Sequence, residues 1–126
     1  MRVVKPGPDR DTPRGIVGGA EISQATVGAA NLYMGRYRVP PGTRSRPHYH
    51  DGCESALYML SGAIRILWGD RLEQSLQLEA GDMLYVPPRV THIVENLSAG
   101  EAAEYVVARD SPQEDAVVVP WAEEPV

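Results

Sequence analysis

The chain has 126 residues, which is enough for one domain with a single hydrophobic core. Its formal net charge of -5 and its pI near 5.1 argue against nucleic-acid or anionic-membrane partners, because those partners favour clustered Lys and Arg. The single cysteine excludes an intramolecular disulfide, and no apolar stretch approaches the ~18 residues of a membrane span. We therefore expect a cytoplasmic protein that acts on a small molecule.

The predicted elements are short strands throughout. Residues 1–30 hold several Pro and Gly and predict an N-terminal arm, residues 31–120 predict a β-barrel, and residues 121–126 predict a C-terminal tail. Apolar runs bounded by turn residues predict strands at 32–39, 56–68, 75–78, 83–86, 92–95, 104–108 and 116–119. Gly69-Asp70 predicts a hairpin, and Gly81-Asp82 predicts a second reversal. The pattern indicates an all-β sandwich or barrel.

Histidines are concentrated at two strand edges. His48 and His50 alternate with Tyr49, so that on a strand both imidazoles project from one face. The third histidine of the chain, His92, follows a predicted strand and a Pro-Pro break. A barrel that brings these segments together would gather three nitrogen donors, which is a donor set that suits a divalent metal ion.

The first histidine segment resembles the first motif of the cupin superfamily, G-x5-H-x-H-x3 or x4-E-x6-G. In this sequence Gly42, TRSRP, His48-Tyr49-His50, DGC and Glu54 follow that order, and Gly62 closes the segment. The resemblance implies the fold of a small cupin, a double-stranded β-helix or jelly-roll barrel.

The second histidine segment resembles the second cupin motif, G-x5-P-x-G-x2-H-x3-N. Gly81, DMLYV, Pro87, Pro88, Arg89, VT, His92, IVE and Asn96 follow it, with Arg89 in place of the motif's glycine. The resemblance covers roughly residues 36–109, and it implies His48, His50, Glu54 and His92 as ligands of one Fe, Mn, Ni or Zn ion.

The identity of the fourth ligand stays open among three neighbours. The count from His50 favours Glu54, whereas the count back from Gly62 favours Ser55, because seven residues rather than six separate Glu54 from Gly62. A β-bulge near Glu54 would absorb the extra residue, and we favour Glu54 on that basis. Cys53 is a rival donor whose thiolate would favour zinc or iron, although a lone cysteine is more often a small buried residue.

Four further residues are predicted to contact the substrate. Arg44, Arg46 and Arg89 flank the histidines in sequence, and a guanidinium forms paired hydrogen bonds with a carboxylate or a phosphate. Each of these arginines could equally be a solvated surface residue. Tyr58 is an aromatic strand residue that could line a pocket or belong to the core.

The resemblance implies several possible activities. Three histidines and a carboxylate leave open positions on a metal ion, and we favour a dioxygenase-type enzyme that acts on a small anionic or enol-forming metabolite. Alternatives are a metal-dependent sugar or sugar-phosphate isomerase and a non-catalytic small-molecule-binding cupin. Small cupins commonly pair through an N-terminal strand, so the resemblance also implies a homodimer.

Overall fold

The computed structural model describes residues 1–113 and 116–119, which form two antiparallel β-sheets and one helical turn. The strands are β1 (Arg10–Asp11), β2 (Val17–Ile22), β3 (Tyr33–Val39), β4 (His48–His50), β5 (Ser55–Ser61), β6 (Ala63–Trp68), β7 (Gln74–Glu79), β8 (Met83–Val86), β9 (His92–Glu95), β10 (Ala103–Arg109) and β11 (Ala116–Val118). The helix, α1, spans Gln24–Val27. The predicted all-β jelly roll is therefore confirmed.

The two sheets face each other across one core. The six-stranded sheet has the order β1-β2-β3-β10-β5-β8, and the five-stranded sheet has the order β11-β4-β9-β6-β7. Strands that are distant in sequence lie side by side in both sheets, and this places β4 next to β9. The principal core cluster contains Ile16, Tyr33, Tyr37, Val39, Leu57, Met59, Ile64, Ile66, Leu78, Val94, Ala103, Tyr105 and Val107.

The predicted single strand over residues 56–68 is instead two strands that belong to different sheets. The chain turns at Gly62, which has a φ of 73°. A Cβ atom at this position would lie 2.8 Å from the carbonyl oxygen of Ala102, so both the backbone conformation and the close approach require glycine. The apolar run continues across this turn, and for that reason the pattern of hydrophobic residues did not show the break.

Residues 10–11 and 17–22 of the predicted arm form β1 and β2, which extend the sheet of their own chain beyond β3. The α1 turn has a capping box, because the Ser23 hydroxyl accepts from the Thr26 N–H and the Thr26 hydroxyl accepts from the Ser23 N–H. The predicted tail, residues 121–126, lies outside the described residues. No helix in the described part of the chain is long and apolar enough to cross a membrane.

Candidate metal centre

All three histidines meet at one point between the sheets. His48 and His50 project from the same face of β4, and His48 lies directly opposite His92 in the antiparallel register of β4 and β9. One ring nitrogen of each histidine lies within 4.8 Å of those of the other two, and all three side chains are buried. Sequence spacing and strand pairing together therefore produce the cluster.

Backbone carbonyl groups fix the tautomers of two of these rings. His48 Nδ1 lies 2.7 Å from the carbonyl oxygen of Arg46, and His92 Nδ1 lies 2.8 Å from that of Val90. A carbonyl oxygen can only accept a hydrogen bond, so each Nδ1 must carry the proton. The Nε2 atoms of His48 and His92 then keep their lone pairs, which is the arrangement that metal-binding histidines use.

The environment keeps His48 and His92 neutral at pH 7. Burial lowers the pKa of His92 from 6.5 to about 4, and the positive charges of Arg14 and Arg109 act in the same direction. Burial, together with the nearby His92, also holds the pKa of His48 well below its usual value. Neutral imidazoles are required for metal coordination, and a cation would not have to displace protons at pH 7. The three histidines could thus hold a metal ion.

The structure does not bring Glu54 to the histidines. The Glu54 side chain is exposed, and its backbone N–H donates to Asp110 Oδ1 at 3.0 Å. The β5 strand begins one residue later and alternates strictly from there, with Ser55 facing inward at 4% exposure. No bulge lies near Glu54, since the register break in the β5–β10 pairing is at the other end of β5. The preference for Glu54 as fourth ligand is therefore replaced by Ser55 as the residue that faces the cavity.

With Ser55 in this position both spacings of the first motif fit. Four residues separate His50 from Ser55, and six separate Ser55 from Gly62. Ser55 Oγ is buried and has no hydrogen-bond partner among the described residues. Cys53 is also buried, but it is not part of the histidine group. The site thus has three histidines and a hydroxyl where the motif has a carboxylate.

The arginines that were predicted to bind substrate lie outside the cavity. Arg44 pairs with Glu95 at 3.5 Å, and Arg46 is exposed. Arg89 is exposed and pairs with Asp51 at 2.8 Å, and its φ of 62° shows that it adopts the left-handed conformation for which the motif has glycine. These three side chains do not line the cavity beside the histidines.

Tyr58, the fourth predicted substrate contact, lies on the outer face of the six-stranded sheet. It is 42% exposed, and its neighbour Leu57 points inward instead. The alternation of β5 decides this orientation, because a residue next to an inward-facing one must point outward. Tyr58 therefore does not line the cavity beside the histidines.

The histidines form part of the wall of a cavity of about 240 Å³ between the two sheets. Most of the wall is apolar and includes Leu57, Ile66 and Leu84. Two buried arginines that sequence analysis missed, Arg14 and Arg109, complete it. Arg109 could have been found, because it continues the inward-facing positions of β10. Arg14 lies in the predicted arm, and no sequence pattern indicates its burial.

Two antiparallel sheets around a buried histidine cluster define a jelly-roll protein with a candidate metal site. A Cupin domain family matches residues 35–108, so the chain belongs to the cupin family. The Streptomyces halstedii protein SchB is 32% identical over 83 residues, which is 66% of this chain and 58% of SchB. The 3-hydroxyanthranilate 3,4-dioxygenase of Burkholderia lata is 37% identical over 76 residues, which is 59% of this chain and 43% of that enzyme.

Solved structures share the fold at low sequence identity. Oxalate decarboxylase from Bacillus subtilis matches with a TM-score of 0.70 and 24% identity, over 89% of this chain and 30% of that one. A recombinant oxalate oxidase in complex with glycolate matches with a TM-score of 0.71 and 22% identity, over 85% of this chain and 56% of that one. The chain also spans less than two thirds of the length of SchB and of the dioxygenase, at 58% and 43%.

Proposed function

We propose that the protein is a mononuclear metal-dependent cupin enzyme that acts on a small anionic or enol-forming metabolite, with dioxygenase-type chemistry. The observation that carries this proposal is the cluster of three buried histidines, two of them held neutral, on the wall of a largely apolar cavity. One divalent ion, Fe, Mn, Ni or Zn, is the cofactor that such a donor set suits.

Different residues of the site would have different roles in the proposed activity. His48, His50 and His92 would hold the ion, which would supply Lewis acidity and, if it is redox-active, electron exchange with dioxygen. The carbonyl groups of Arg46 and Val90 keep two of the rings oriented. A ligand with an apolar body would displace water from the largely apolar cavity, and this would strengthen the electrostatic interactions within it. Ser55 Oγ would exchange a hydrogen bond with a bound ligand, since it is buried and has no hydrogen-bond partner among the described residues.

Two observations favour dioxygenase-type chemistry over isomerisation. One relative is a 3-hydroxyanthranilate 3,4-dioxygenase, and a structural neighbour is an oxalate oxidase. Isomerisation needs a proton-transfer base, and the described residues that line the cavity include no carboxylate. Glu104, a carboxylate in the β10 strand, pairs with Arg36 at 2.8 Å and is not part of the cavity wall.

The first test is elemental analysis of untagged protein, with His48→Ala and Glu54→Gln compared with the wild type. We expect one divalent metal ion per chain in the wild type, loss of metal in His48→Ala and full retention in Glu54→Gln. The Glu54 variant is a matched control, because it changes a carboxylate close to the histidines in sequence whose side chain is exposed to solvent. Loss of metal in Glu54→Gln would restore Glu54 as a ligand and contradict the three-histidine site.

The second test is oxygen uptake by the iron-loaded protein with a panel of small aromatic and enol-forming acids. We expect uptake with iron and none with zinc, because zinc has no redox chemistry. Equal turnover with zinc and no oxygen consumption would favour the isomerase. Ligand binding without any turnover, unchanged in His92→Ala, would favour a non-catalytic cupin.

A further inference from the structure

Two buried arginines face the cavity beside the histidines. Arg14 precedes β2 and is 2% exposed, whereas Arg109 ends β10 and is 6% exposed. Arginine is almost never fully buried unless a partner compensates its charge. Both side chains line the same cavity as His48, His50 and His92. The cavity wall thus carries two guanidinium groups beside the histidines.

A pair of tyrosines on β3 holds both guanidinium groups in place. The Arg14 guanidinium lies 4.8 Å from the centre of the Tyr37 ring, and the Arg109 guanidinium lies 4.9 Å from that of Tyr33. The two phenol hydroxyls hydrogen-bond to each other, and the Tyr33 hydroxyl also donates to Glu21 at 2.7 Å. We call Tyr33 and Tyr37 the tyrosine platform. Stacking on aromatic rings restrains the guanidinium groups before any ligand arrives.

Gly35 makes the tyrosine platform possible. It lies between Tyr33 and Tyr37 on the same inward face of β3. A Cβ atom at this position would lie 2.8 Å from the Tyr33 hydroxyl oxygen and 3.0 Å from a ring carbon of Tyr37. A side chain of any size would push the two rings apart. The sequence Tyr-Met-Gly-Arg-Tyr therefore positions both arginines from one strand.

The charge and shape of the cavity narrow the class of ligand. The described lining residues include no Asp or Glu, and Nε and Nη1 of Arg109 make no hydrogen bond to any described residue. A guanidinium fork matches the planar geometry of a carboxylate through two parallel hydrogen bonds. The volume of about 240 Å³ corresponds to roughly eight water molecules, and the remaining wall is mostly apolar.

We propose that Arg14 and Arg109 form an anion subsite that binds the carboxylate of a small organic acid, whose largely apolar body fills the rest of the cavity beside the histidines. The inference deepens the proposed function and rests on it for the role of this acid as substrate. Arg14 and Arg109 take the place of Arg44, Arg46 and Arg89 as the anion-binding residues. Binding at the subsite needs no turnover, so it can be tested without metal.

The test is calorimetric titration of the metal-free 126-residue chain with benzoate, glutarate, benzamide and inorganic phosphate. We expect at least one of the two carboxylates to bind and the neutral benzamide to bind at least tenfold more weakly. Arg14→Gln and Arg109→Gln should each weaken carboxylate binding by about 10-fold to 100-fold, the usual range for losing hydrogen bonds to a charged group. Arg109→Lys keeps the charge but loses the fork, and binding should be weakened less than in Arg109→Gln.

Arg36→Gln is the matched control, because Arg36 lies on the outer face of β3 and pairs with Glu104 at 2.8 Å. It should leave carboxylate binding unchanged. Failure of both carboxylates to bind, or equal weakening by Arg36→Gln, would overturn the anion subsite. Binding of phosphate instead of the carboxylates would overturn the assignment to an organic acid. If Arg14→Gln does not fold, Arg109→Lys and Arg109→Gln still decide the outcome.

Metal content measured on the same samples separates this inference from the proposed function. If the wild-type protein binds carboxylate but retains no metal after reconstitution, the proposal of a metal-dependent enzyme is contradicted and the anion subsite is still supported. Metal retention in Arg109→Gln together with lost carboxylate binding would support both.

Discussion

Acidification should destabilise the metal-free protein through its buried histidines. The pKa of His92 is about 4 in the folded chain and 6.5 in an unfolded one, so between these values only the unfolded chain takes up the proton. The contribution of neutral His92 to the free energy of unfolding is therefore fully present above about pH 6.5 and is lost as the pH falls towards 4. The gap of about 2.5 between the two pKa values corresponds to about 3 kcal/mol for His92 alone. The lowered pKa of His48 adds to the loss in the same direction.

Urea unfolding in the presence of EDTA, at intervals from pH 7.5 to pH 4.5, measures this effect. Carboxylates also titrate near the acid end, so the wild type is compared with His92→Gln, which cannot take up that proton. The free energy of unfolding should fall more steeply in the wild type, by about 2.5 kcal/mol between pH 7.5 and pH 4.5, because this range ends just above the folded-state pKa. Parallel curves for the two proteins would refute the argument that burial holds His92 neutral.

The same urea-unfolding measurements are repeated with saturating zinc in place of EDTA. A metal ion that binds only the folded chain raises its stability by mass action. Because the pKa of His92 is about 4 in the folded chain, protons compete little for this imidazole above about pH 5, so the gain should stay nearly constant from pH 7.5 to about pH 5 and shrink only below that. An equal gain from zinc in His48→Ala would show that the ion binds somewhere other than the histidines.

Three further predictions concern packing and assembly. Gly35→Ala should lower the free energy of unfolding by about 1–3 kcal/mol through a clash with Tyr33, whereas Gly100→Ala, with open space around it, should change it little; urea unfolding of both tests this. Met59→Ala, at a position with 0% exposure, should cost about 2–5 kcal/mol in the same assay, against less than about 1 kcal/mol for the exposed Leu60→Ala. Light scattering coupled to gel filtration should give twice the chain mass of 13.8 kDa, and a value near 13.8 kDa would contradict the homodimer.

Local sequence signals predicted most of the fold. The strands at 83–86 and 92–95 match the structure residue for residue, because Gly81-Asp82 and Pro87-Pro88 bound the first and Asn96 follows the second. Turn residues also marked the hairpin after Trp68. The histidine cluster was predicted from the two histidine motifs together with the expected cupin barrel. The barrel was needed for this prediction, because the fold alone decides that β4 lies next to β9.

The errors arose where long-range pairing decides an orientation. Glu54 and Ser55 are adjacent, and only the start of β5 against β8 and β10 determines which of them faces inward. Closeness in sequence to the histidines suggested Arg44 and Arg46 as substrate-binding residues. The structure instead brings Arg14 and Arg109 to the cavity from distant parts of the chain. Proximity in sequence is a poor guide to a barrel interior, because neighbouring residues on a strand point to opposite sides.

The cavity wall combines residues inside and outside the segment that matches the cupin family. His48, His50 and His92 all lie within the family match at residues 35–108, while Arg14 lies well before it and Arg109 directly after it. All three histidines therefore lie inside the matched segment, and both arginines lie outside its ends. Exchanging the segment around Arg14 together with the last residue of β10 would change the electrostatic character of the chamber and leave the histidines untouched.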